Sequence, residues 1–329
     1  MQTYLDFEKK FAETEKRIAE LKGLSSHGDE LESQEGAVGR SDNIQSEINK
    51  LEKNAAEILK DIYAKLTPWQ RTQIARHPDR PHLTYYINHL FDEFTPLAGD
   101  RKFAEDHAII GGLARFCGRP VMLIGQEKGF DTESRLNHNF GMARPEGYRK
   151  AVRLMEMASR FGLPVINFID TAGAYPGIGA EERGQAEAIA RSIDCCLGVE
   201  TPLIACVLGE GGSGGAVAIA TANHVVMLEN AIYTVASPEA SASILWRDAS
   251  RAKDAANNMR ITSSDLLSFG VVDTIVEEPA GGAHRHAEEM ANRTRTALLN
   301  ALKALETKSP QELKADRAQK YLAMTRKLK

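Results

Sequence analysis

The chain has 329 residues, 43% of them hydrophobic, which is enough to bury a large core and is long for a single domain. Its net charge of −4 and pI near 6.2 argue against general affinity for nucleic acid or anionic membranes. No apolar run approaches the roughly 20 residues that span a bilayer, and the first ten residues lack the apolar centre of a signal peptide. We therefore expect a cytoplasmic protein that binds neither membrane nor nucleic acid.

The N-terminal region has the periodicity of amphipathic helices. Apolar residues follow helical spacing from Phe7 to Leu21, and from Ile44 to Ile62 they recur in steps of four and three. This pattern predicts an antiparallel helical pair joined by residues 23–40. A further helix is predicted to begin at Pro68, and an apolar helical face at residues 86–94 precedes the expected start of a second domain.

Beyond residue 100, apolar strands alternate with helices. This alternation predicts an α/β core with parallel strand pairing. The predicted strands cover residues 108–116, 121–125, 164–169, 203–208, 225–228, 232–235 and 271–276. Residues from Pro279 onward are predicted to form a helical tail. The four cysteines, Cys117, Cys195, Cys196 and Cys206, form neither a disulfide framework nor a zinc-binding pair, so we expect them to be reduced and mostly packed, with no metal in this chain.

A glycine-rich stretch, residues 209–216 (GEGGSGGA), follows the strand predicted at 203–208. Gly209-x-Gly211-x-x-Gly214, with Glu229 further on, matches the dinucleotide-binding fingerprint and leaves an NAD(P) site as one interpretation. A phosphate-binding P-loop is not favoured, since no Gly-Lys-Ser/Thr follows. The same residues also match two other kinds of site.

One of them is a serine nucleophile, because Gly211-x-Ser213-x-Gly215 matches the nucleophile elbow of hydrolases. That interpretation requires an acid and a histidine downstream, for which the sequence offers Asp248, Asp265 or Asp273 with His284 or His286. The other is an oxyanion hole, in which main-chain N–H groups at a helix start stabilise a developing negative charge. A second turn, from Asp170 to Gly177, also follows a buried strand, and the two turns are expected to line one site.

Several long motifs identify the family that the chain resembles. Residues 170–185 (DTAGAYPGIGAEERGQ), the glycine-rich stretch, and residues 237–239 and 243–246 closely resemble the α subunit of bacterial acetyl-CoA carboxylase carboxyltransferase. Shorter motifs extend the resemblance over nearly the whole chain: RHPDRP at 76–81, FDEF at 91–94, AGDR at 98–101, NFGM at 139–142, PEGYRK at 145–150 and GGAHR at 281–285.

The resemblance implies a crotonase-like (ClpP/crotonase) α/β fold, a spiral of ββα units. It assigns a helical N-terminal arm to residues 1–95, the carboxyltransferase core to 96–280 and a C-terminal helical tail to 281–329. It also implies transfer of a carboxyl group from carboxybiotin, on a biotin carboxyl carrier protein, to acetyl-CoA. The product is malonyl-CoA for fatty acid biosynthesis.

The implied partners are a carboxyltransferase β subunit, in an α2β2 assembly, the carrier protein and biotin carboxylase. By resemblance the α chain faces the biotin, while the β chain holds most of the coenzyme A and the family's zinc ribbon. A chain that only scaffolds such a β subunit, without catalysing anything, is the remaining alternative.

The resemblance also assigns site residues. The donors to the biotin ureido oxygen are expected from the main chain of Gly173 and Ala174, with Gly214 and Gly215 across the cleft. The residues expected beside the bound substrate are Tyr175, Gly211, Gly212 and Ser213.

Two departures from the family pattern are visible. Ala172 stands where proline is usual, and Ala240-Ser241 stand where glycine-cysteine is usual. With alanine at position 172 the orientation of the turn from Asp170 to Gly177 is less restricted, because alanine has an N–H group and lacks the rigid ring of proline. The segment between the second and third predicted strands is polar and basic, and its Lys128, Arg135 and His138 are expected to be solvated.

Overall fold

The computed structural model describes residues 3–28 and 38–324. The chain divides into two compact units, residues 1–70 and 71–329. The first unit is shorter than the arm predicted at residues 1–95, and the bounds of that arm remain a prediction. Most of the predicted connection between the first two helices lies outside the described residues. Its two ends, however, continue the helices.

The first unit is a helical pair, α1 (Lys9–Gly28) and α2 (Val38–Tyr63). The Tyr63 hydroxyl donates to the Glu8 carboxylate at 2.9 Å, so the end of α2 lies beside the start of α1 and the helices run antiparallel. Ile48 and Ala55 are buried, as the apolar pattern predicts. Leu59 is also buried, whereas the predicted seam residue Ile58 is half-buried.

The second unit is built on one sheet, with eight strands among the described residues in the order β1-β2-β3-β4-β5-β6-β8 and β7 paired to β5. β1 to β3 are antiparallel, and every later pairing is parallel. The strands are β1 (Phe91–Pro96), β2 (Ile109–Phe116), β3 (Arg119–Gln126), β4 (Val165–Thr171), β5 (Leu203–Gly212), β6 (His224–Leu228), β7 (Ile232–Thr234) and β8 (Thr274–Val276). β4 and β5 are buried along their whole length, as expected of central parallel strands.

Helices cover both faces of this sheet. Gly111 on β2 lies against Leu154, whereas Gly125 on β3 lies against Leu83. Gly111 pairs with Ile124, the neighbour of Gly125, and successive strand residues point to opposite faces, so the helices that carry Leu154 and Leu83 lie on opposite sides. The helices are α3 (Pro68–Ala75), α4 (Leu83–Leu90), α5 (Thr132–Asn137), α6 (Pro145–Phe161), α7 (Ile178–Glu182), α8 (Gln185–Gly198), α9 (Ser213–Ala220), α10 (Pro238–Trp246), α11 (Ala252–Asn258), α12 (Ser263–Phe269), α13 (Ala287–Leu305) and α14 (Pro310–Met324).

Two element predictions are wrong in part. The predicted helical face at residues 86–94 ends at Leu90, and Phe91 begins β1, which pairs with β2. The last predicted strand is also shorter, since β8 begins only at Thr274. Each described helix is too short or too polar to traverse a lipid bilayer.

The helical pair provides a stability test. Replacing Ile48, whose exposed fraction is 1%, by aspartate places an unpaired charge between α1 and α2. We expect a loss of at least about 3 kcal/mol in the free energy of unfolding of this unit. Asn54→Asp, on the exposed side of α2, adds the same charge and should change stability by less than about 0.5 kcal/mol. Thermal melting followed by circular dichroism measures both; equal melting temperatures for the two variants would contradict the buried seam.

Candidate functional site

The two predicted turns leave the sheet at the same edge, because β4 and β5 are neighbouring parallel strands. β4 ends at Thr171, and β5 ends at Gly212, directly before α9. A Cβ atom on Gly215 would lie 2.6 Å from the carbonyl carbon of Gly173. The turns are therefore in direct contact, so Gly173 and Gly215 do not lie on opposite sides of a cleft.

The glycine-rich stretch is only partly a turn. Its first half continues β5, where Gly211 pairs with Tyr233 and Gly212 with Thr234 of β7. The chain then passes at once into α9, which begins at Ser213. The predicted loop over residues 209–216 is thus a strand end joined to a helix start. The sequence pattern did not predict that β5 extends to Gly212, because glycine has a low strand propensity.

Close packing explains two of these glycines. A Cβ atom on Gly212 would lie 2.1 Å from the Ala172 carbonyl oxygen, and one on Gly215 would meet Gly173 as described above. Any side chain at either position would push the two turns apart. Gly214 differs, since a Cβ atom there would meet only the side chain of Ile189, at 3.5 Å. A Cβ atom on Gly214 would thus make an ordinary van der Waals contact, so the packing of the two turns does not require glycine at this position.

The main-chain N–H groups of the turns differ in whether they already have a partner. Gly173 N–H donates to the Thr171 hydroxyl at 3.1 Å, whereas Ala174 N–H has no acceptor among the described residues. Within the described chain no side chain caps α9, and N–H groups in a first helical turn have no intrahelical acceptor. Ala174 N–H and those of Gly214 and Gly215 are thus the donors that the two turns offer to an anion.

Ser213, at the junction of β5 and α9, has an exposed side chain and a positive φ of +49°, a conformation that costs energy for a residue with a Cβ atom. This resembles the backbone of a nucleophile elbow. The predicted triad partners, however, are engaged elsewhere: Asp248 with Ser250, Asp265 with Thr262, Asp273 with Lys320, and His284 in a stack on His77. No histidine of the described residues forms a hydrogen bond with Ser213, so the hydrolase interpretation is not supported.

The dinucleotide interpretation is not supported either. Gly209 and Gly211 of its fingerprint lie within β5, not in a turn that could surround a pyrophosphate. Glu229, which would bind the ribose, instead accepts the N–H of Glu278 at 3.0 Å and lies 3.5 Å from Arg71. These contacts fix Glu229 within the protein.

Tyr175, which was expected beside the substrate, is half-buried in the first turn. Its N–H donates to the Ala143 carbonyl at 3.0 Å, and its carbonyl accepts from the Gln185 amide at 3.0 Å. The Arg144 guanidinium lies 4.6 Å from the centre of its ring. These contacts hold the turn after Ala174 in place.

A cavity of about 550 Å³ opens beside the start of α9. Ser213 and Gly214 form one wall, and the residues opposite are mainly apolar. Its other lining residues are Val217, Tyr233, Thr234, Val235, Met259, Arg260, Ile261, Leu266, Phe269 and Val271. An apolar cavity with a few polar groups on one wall is the usual form of a small-molecule site.

Behind the two turns lies a group of charged side chains that we name the strand-end ion cluster: Arg76, Lys128, Asp170, Glu210 and Glu239. Lys128 Nζ lies 2.8 Å from both Asp170 and Glu210, and Arg76 pairs with Glu210 at 2.6 Å and with Glu239 at 2.7 Å. Burial alone would raise the pKa values of the Asp170 and Glu210 carboxyls. The positive charge of Lys128 outweighs the effect of burial on both carboxyls. His82 adds to it at Asp170 and Arg76 adds to it at Glu210, so both carboxyl pKa values fall below their usual range.

The expectation of a solvated Lys128 is therefore wrong. Only 14% of its side chain is exposed, and burial, which would lower the pKa of its ammonium, is outweighed by Asp170 and Glu210, so that pKa is raised. Sequence reasoning also missed Arg76 and Glu210 as members of one cluster. The available signal was position, since Asp170 and Glu210 stand at the carboxyl ends of adjacent strands. In the described part of the chain no group of histidine, cysteine and carboxylate side chains has the arrangement of a metal site.

Comparison with known proteins decides the family. The model of the acetyl co-enzyme A carboxylase carboxyltransferase-like family matches residues 4–325. The chain belongs to this family. It is 58% identical over 328 residues to the acetyl-coenzyme A carboxylase carboxyl transferase subunit alpha of Rhizobium meliloti and 60% identical to that of Methylobacterium nodulans, with 100% of each chain covered.

Solved structures place this member of the carboxyltransferase family among crotonase-like folds, which confirms the predicted fold class. The transcarboxylase 12S structure with methylmalonyl-coenzyme A aligns with a TM-score of 0.57 at 18% identity and covers 72% of this chain and 45% of that one. A Pseudomonas malonate decarboxylase hetero-tetramer in complex with coenzyme A gives 0.53 at 17% identity, over 67% and 89% of the two chains. At these identities the likeness concerns the fold alone.

The contact between the turns predicts different tolerances at two adjacent glycines. Gly215→Ala forces a Cβ atom into the Gly173–Ala174 peptide and should lower the free energy of unfolding by about 1–3 kcal/mol. Gly214→Ala has room and gains helix propensity, so stability should be unchanged or rise by up to about 1 kcal/mol. Thermal melting of the two variants measures the difference; a Gly215→Ala protein as stable as Gly214→Ala would show that the turns do not touch.

Proposed function

We propose that this chain is the α subunit of the carboxyltransferase component of acetyl-CoA carboxylase. It transfers the carboxyl group of carboxybiotin, carried on the biotin carboxyl carrier protein, to acetyl-CoA and forms malonyl-CoA for fatty acid biosynthesis. Full-length identity near 60% to proteins of that name supports the assignment. The observation that supports the proposed reaction is that Ala174 lies against the uncapped start of α9, beside the apolar cavity.

The reaction needs stabilised negative charge more than a side-chain base. As carboxybiotin releases its carboxyl group, negative charge develops on the ureido oxygen, and the freed ring nitrogen can take a proton from the acetyl methyl group. Oriented main-chain N–H groups in a dry site stabilise such a charge without reorganising. We assign this role to Gly173, Ala174, Gly214 and Gly215, with Ala174 as the main donor of the first turn because Gly173 N–H already binds Thr171.

The residues around these donors position the substrate. Ser213 and Gly214 line the cavity in which we place the biotin ring system, and Tyr175 supports the first turn through its main-chain bonds. Gly211 and Gly212 act by allowing close packing, against Tyr233 and Ala172 respectively.

The surroundings of the site support a partner subunit. Large apolar side chains are exposed on the segments that leave the sheet at the site's edge, after β3, β4 and β7: Phe130, Leu136, Ile178, Val235, Ile244 and Leu245. Exposed apolar groups concentrated around one edge are typical of a protein interface. We propose that the carboxyltransferase β subunit covers this edge in an α2β2 assembly and completes the acetyl-CoA site, and that the carrier protein and biotin carboxylase are the further partners.

The first functional prediction is that activity requires assembly. The chain alone should form no malonyl-CoA from carboxybiotin carrier protein and acetyl-CoA, whereas addition of the β subunit should restore turnover. The physical reason is that the two turns supply only main-chain donors beside an apolar cavity, and we assign the acetyl-CoA site to the β subunit. Malonyl-CoA is measured by chromatography. Turnover by the purified chain alone would contradict this prediction. A complex that assembles with the β subunit but is inactive would favour the scaffold alternative.

The second functional prediction separates a nucleophilic hydroxyl from main-chain donors. Ser213→Ala should retain most of the activity of the assembled enzyme, because only the main chain of this turn is used. Gly214→Val should lose about 10²- to 10³-fold in kcat, because a branched side chain placed against Ile189 would displace the first turn of α9 and its N–H donors. Circular dichroism controls for folding. An inactive Ser213→Ala beside an active Gly214→Val would overturn the mechanism.

A further inference from the structure

We propose that Lys128 is a positioning residue: its ammonium group sets the relative placement of the two donor turns by bridging the carboxylates at the ends of β4 and β5. The inference rests on the proposed function, since it concerns the geometry of the same donors. Lys128 does not touch the donors itself, and it acts through Asp170 and Glu210.

The first support is the irregular pairing of β4 and β5 just before the turns. Ile169 pairs with Val207, but the next pair is Thr171 with Gly211, so β5 has two extra residues over this interval. Main-chain groups in such a bulge lose their strand partners. Here, side chains replace those partners.

Two charged side chains hold the bulge. Glu210 N–H donates to the Asp170 carboxylate at 2.9 Å, and the Leu208 carbonyl accepts from Arg80 at 2.8 Å. The carboxylate of Asp170 therefore determines where β5 resumes its path toward Gly212 and α9. Whatever orients Asp170 also orients the second turn.

Lys128 is the cation that joins Asp170 to Glu210, whereas His82 Nδ1 lies 3.3 Å from the other Asp170 carboxylate oxygen. Lys128 Nζ lies 2.8 Å from Asp170 Oδ1 and 2.8 Å from Glu210 Oε2, so a single cation holds two buried carboxylates together. Without it, the two negative charges would repel each other in a region of low dielectric constant. Since Asp170 lies near the end of β4 and Glu210 near the end of β5, that repulsion would separate the turns.

A neutral side chain from the same strand end completes the connection. The Gln126 amide donates to the Gly215 carbonyl at 2.7 Å, and its oxygen accepts from Asp170 N–H at 3.1 Å. Gln126 ties β4 to the first turn of α9 but carries no charge to balance the carboxylates. Lys128 is thus the member of this connection whose removal changes the electrostatics.

The experiment uses the chain assembled with its β partner and measures malonyl-CoA formation. Lys128→Met keeps the length of the side chain and removes its charge. The matched control is Lys320→Met, because Lys320 is 13% exposed and pairs with Asp273 away from the turns. We expect Lys128→Met to lower kcat at least tenfold, with KM for both substrates within threefold, since a small misplacement of reacting groups costs up to about 10²-fold. Lys320→Met should keep the wild-type kcat, and Lys128→Arg should recover most of the loss.

The pH dependence gives a readout that a purely structural role would not move. Removing Lys128 raises the pKa values of Asp170 and Glu210, so that lowering the pH allows one of them to bind a proton. That proton can replace the ammonium group as a bridge between the two carboxyls. The kcat of Lys128→Met, relative to wild type at each pH, should therefore rise as the pH is lowered. The other charged or titratable groups near this pair are Arg76, Arg80, His82 and Glu239, and all four remain in the variant.

Each outcome decides the proposal. A folded Lys128→Met enzyme with wild-type kcat, or an equal loss in Lys320→Met, would overturn the positioning role while leaving the proposed function intact. An assembled wild-type enzyme without carboxyl transfer would overturn the proposed function instead. If Lys128→Met fails to fold, Glu210→Gln serves in its place, because it keeps the contact between Lys128 and Asp170 and removes only one anchor. Normal kcat in folded Glu210→Gln would then refute the proposal.

Discussion

The site depends on the neutralisation of two buried carboxylates, Asp170 and Glu210, where β4 and β5 leave the sheet. A buried ion pair contributes little net stability, because desolvation offsets most of the attraction, but an unpaired buried charge is strongly destabilising. The strand-end ion cluster is therefore better understood as a geometric constraint than as a source of stability. It specifies one arrangement of the strand ends, and the positions of the donor N–H groups that follow depend on that arrangement.

This constraint suits the reaction that we propose, in which the donors are main-chain N–H groups. Main-chain N–H groups cannot be repositioned by a rotamer change, so their placement is fixed by the strands and helices that carry them. Contact between Gly215 and the Gly173–Ala174 peptide brings the donors together, and the ion cluster behind them holds the strand ends. The apolar cavity beside Ser213 and Gly214 adds the low dielectric in which such dipoles are most effective.

Sequence patterns predicted the helical pair, the parallel α/β core and the meeting of the two turns, because each follows from local periodicity or from strand order. They failed at Phe91 and Phe94, whose spacing of three residues resembles a helical face although the segment is a strand. They also failed at Lys128, a charged residue in a polar segment, because its partner Glu210 lies 82 residues further along the chain. The family resemblance supplied the fold name and the donor residues, which periodicity alone does not distinguish. Burial and pairing over such separations appear only in the folded structure.

The span of the strand-end ion cluster has a consequence for biosynthesis. Arg76 and Glu239, which form an ion pair with each other, are 163 residues apart. At a ribosomal rate of about 5–20 residues per second, roughly 8 to 30 s separate their synthesis. During that interval Arg76 on the nascent chain lacks one of its anions, and the cluster cannot close. This edge of the sheet is therefore completed only after most of the second unit has been made, so the two turns reach their final arrangement only after residue 239 has been synthesised.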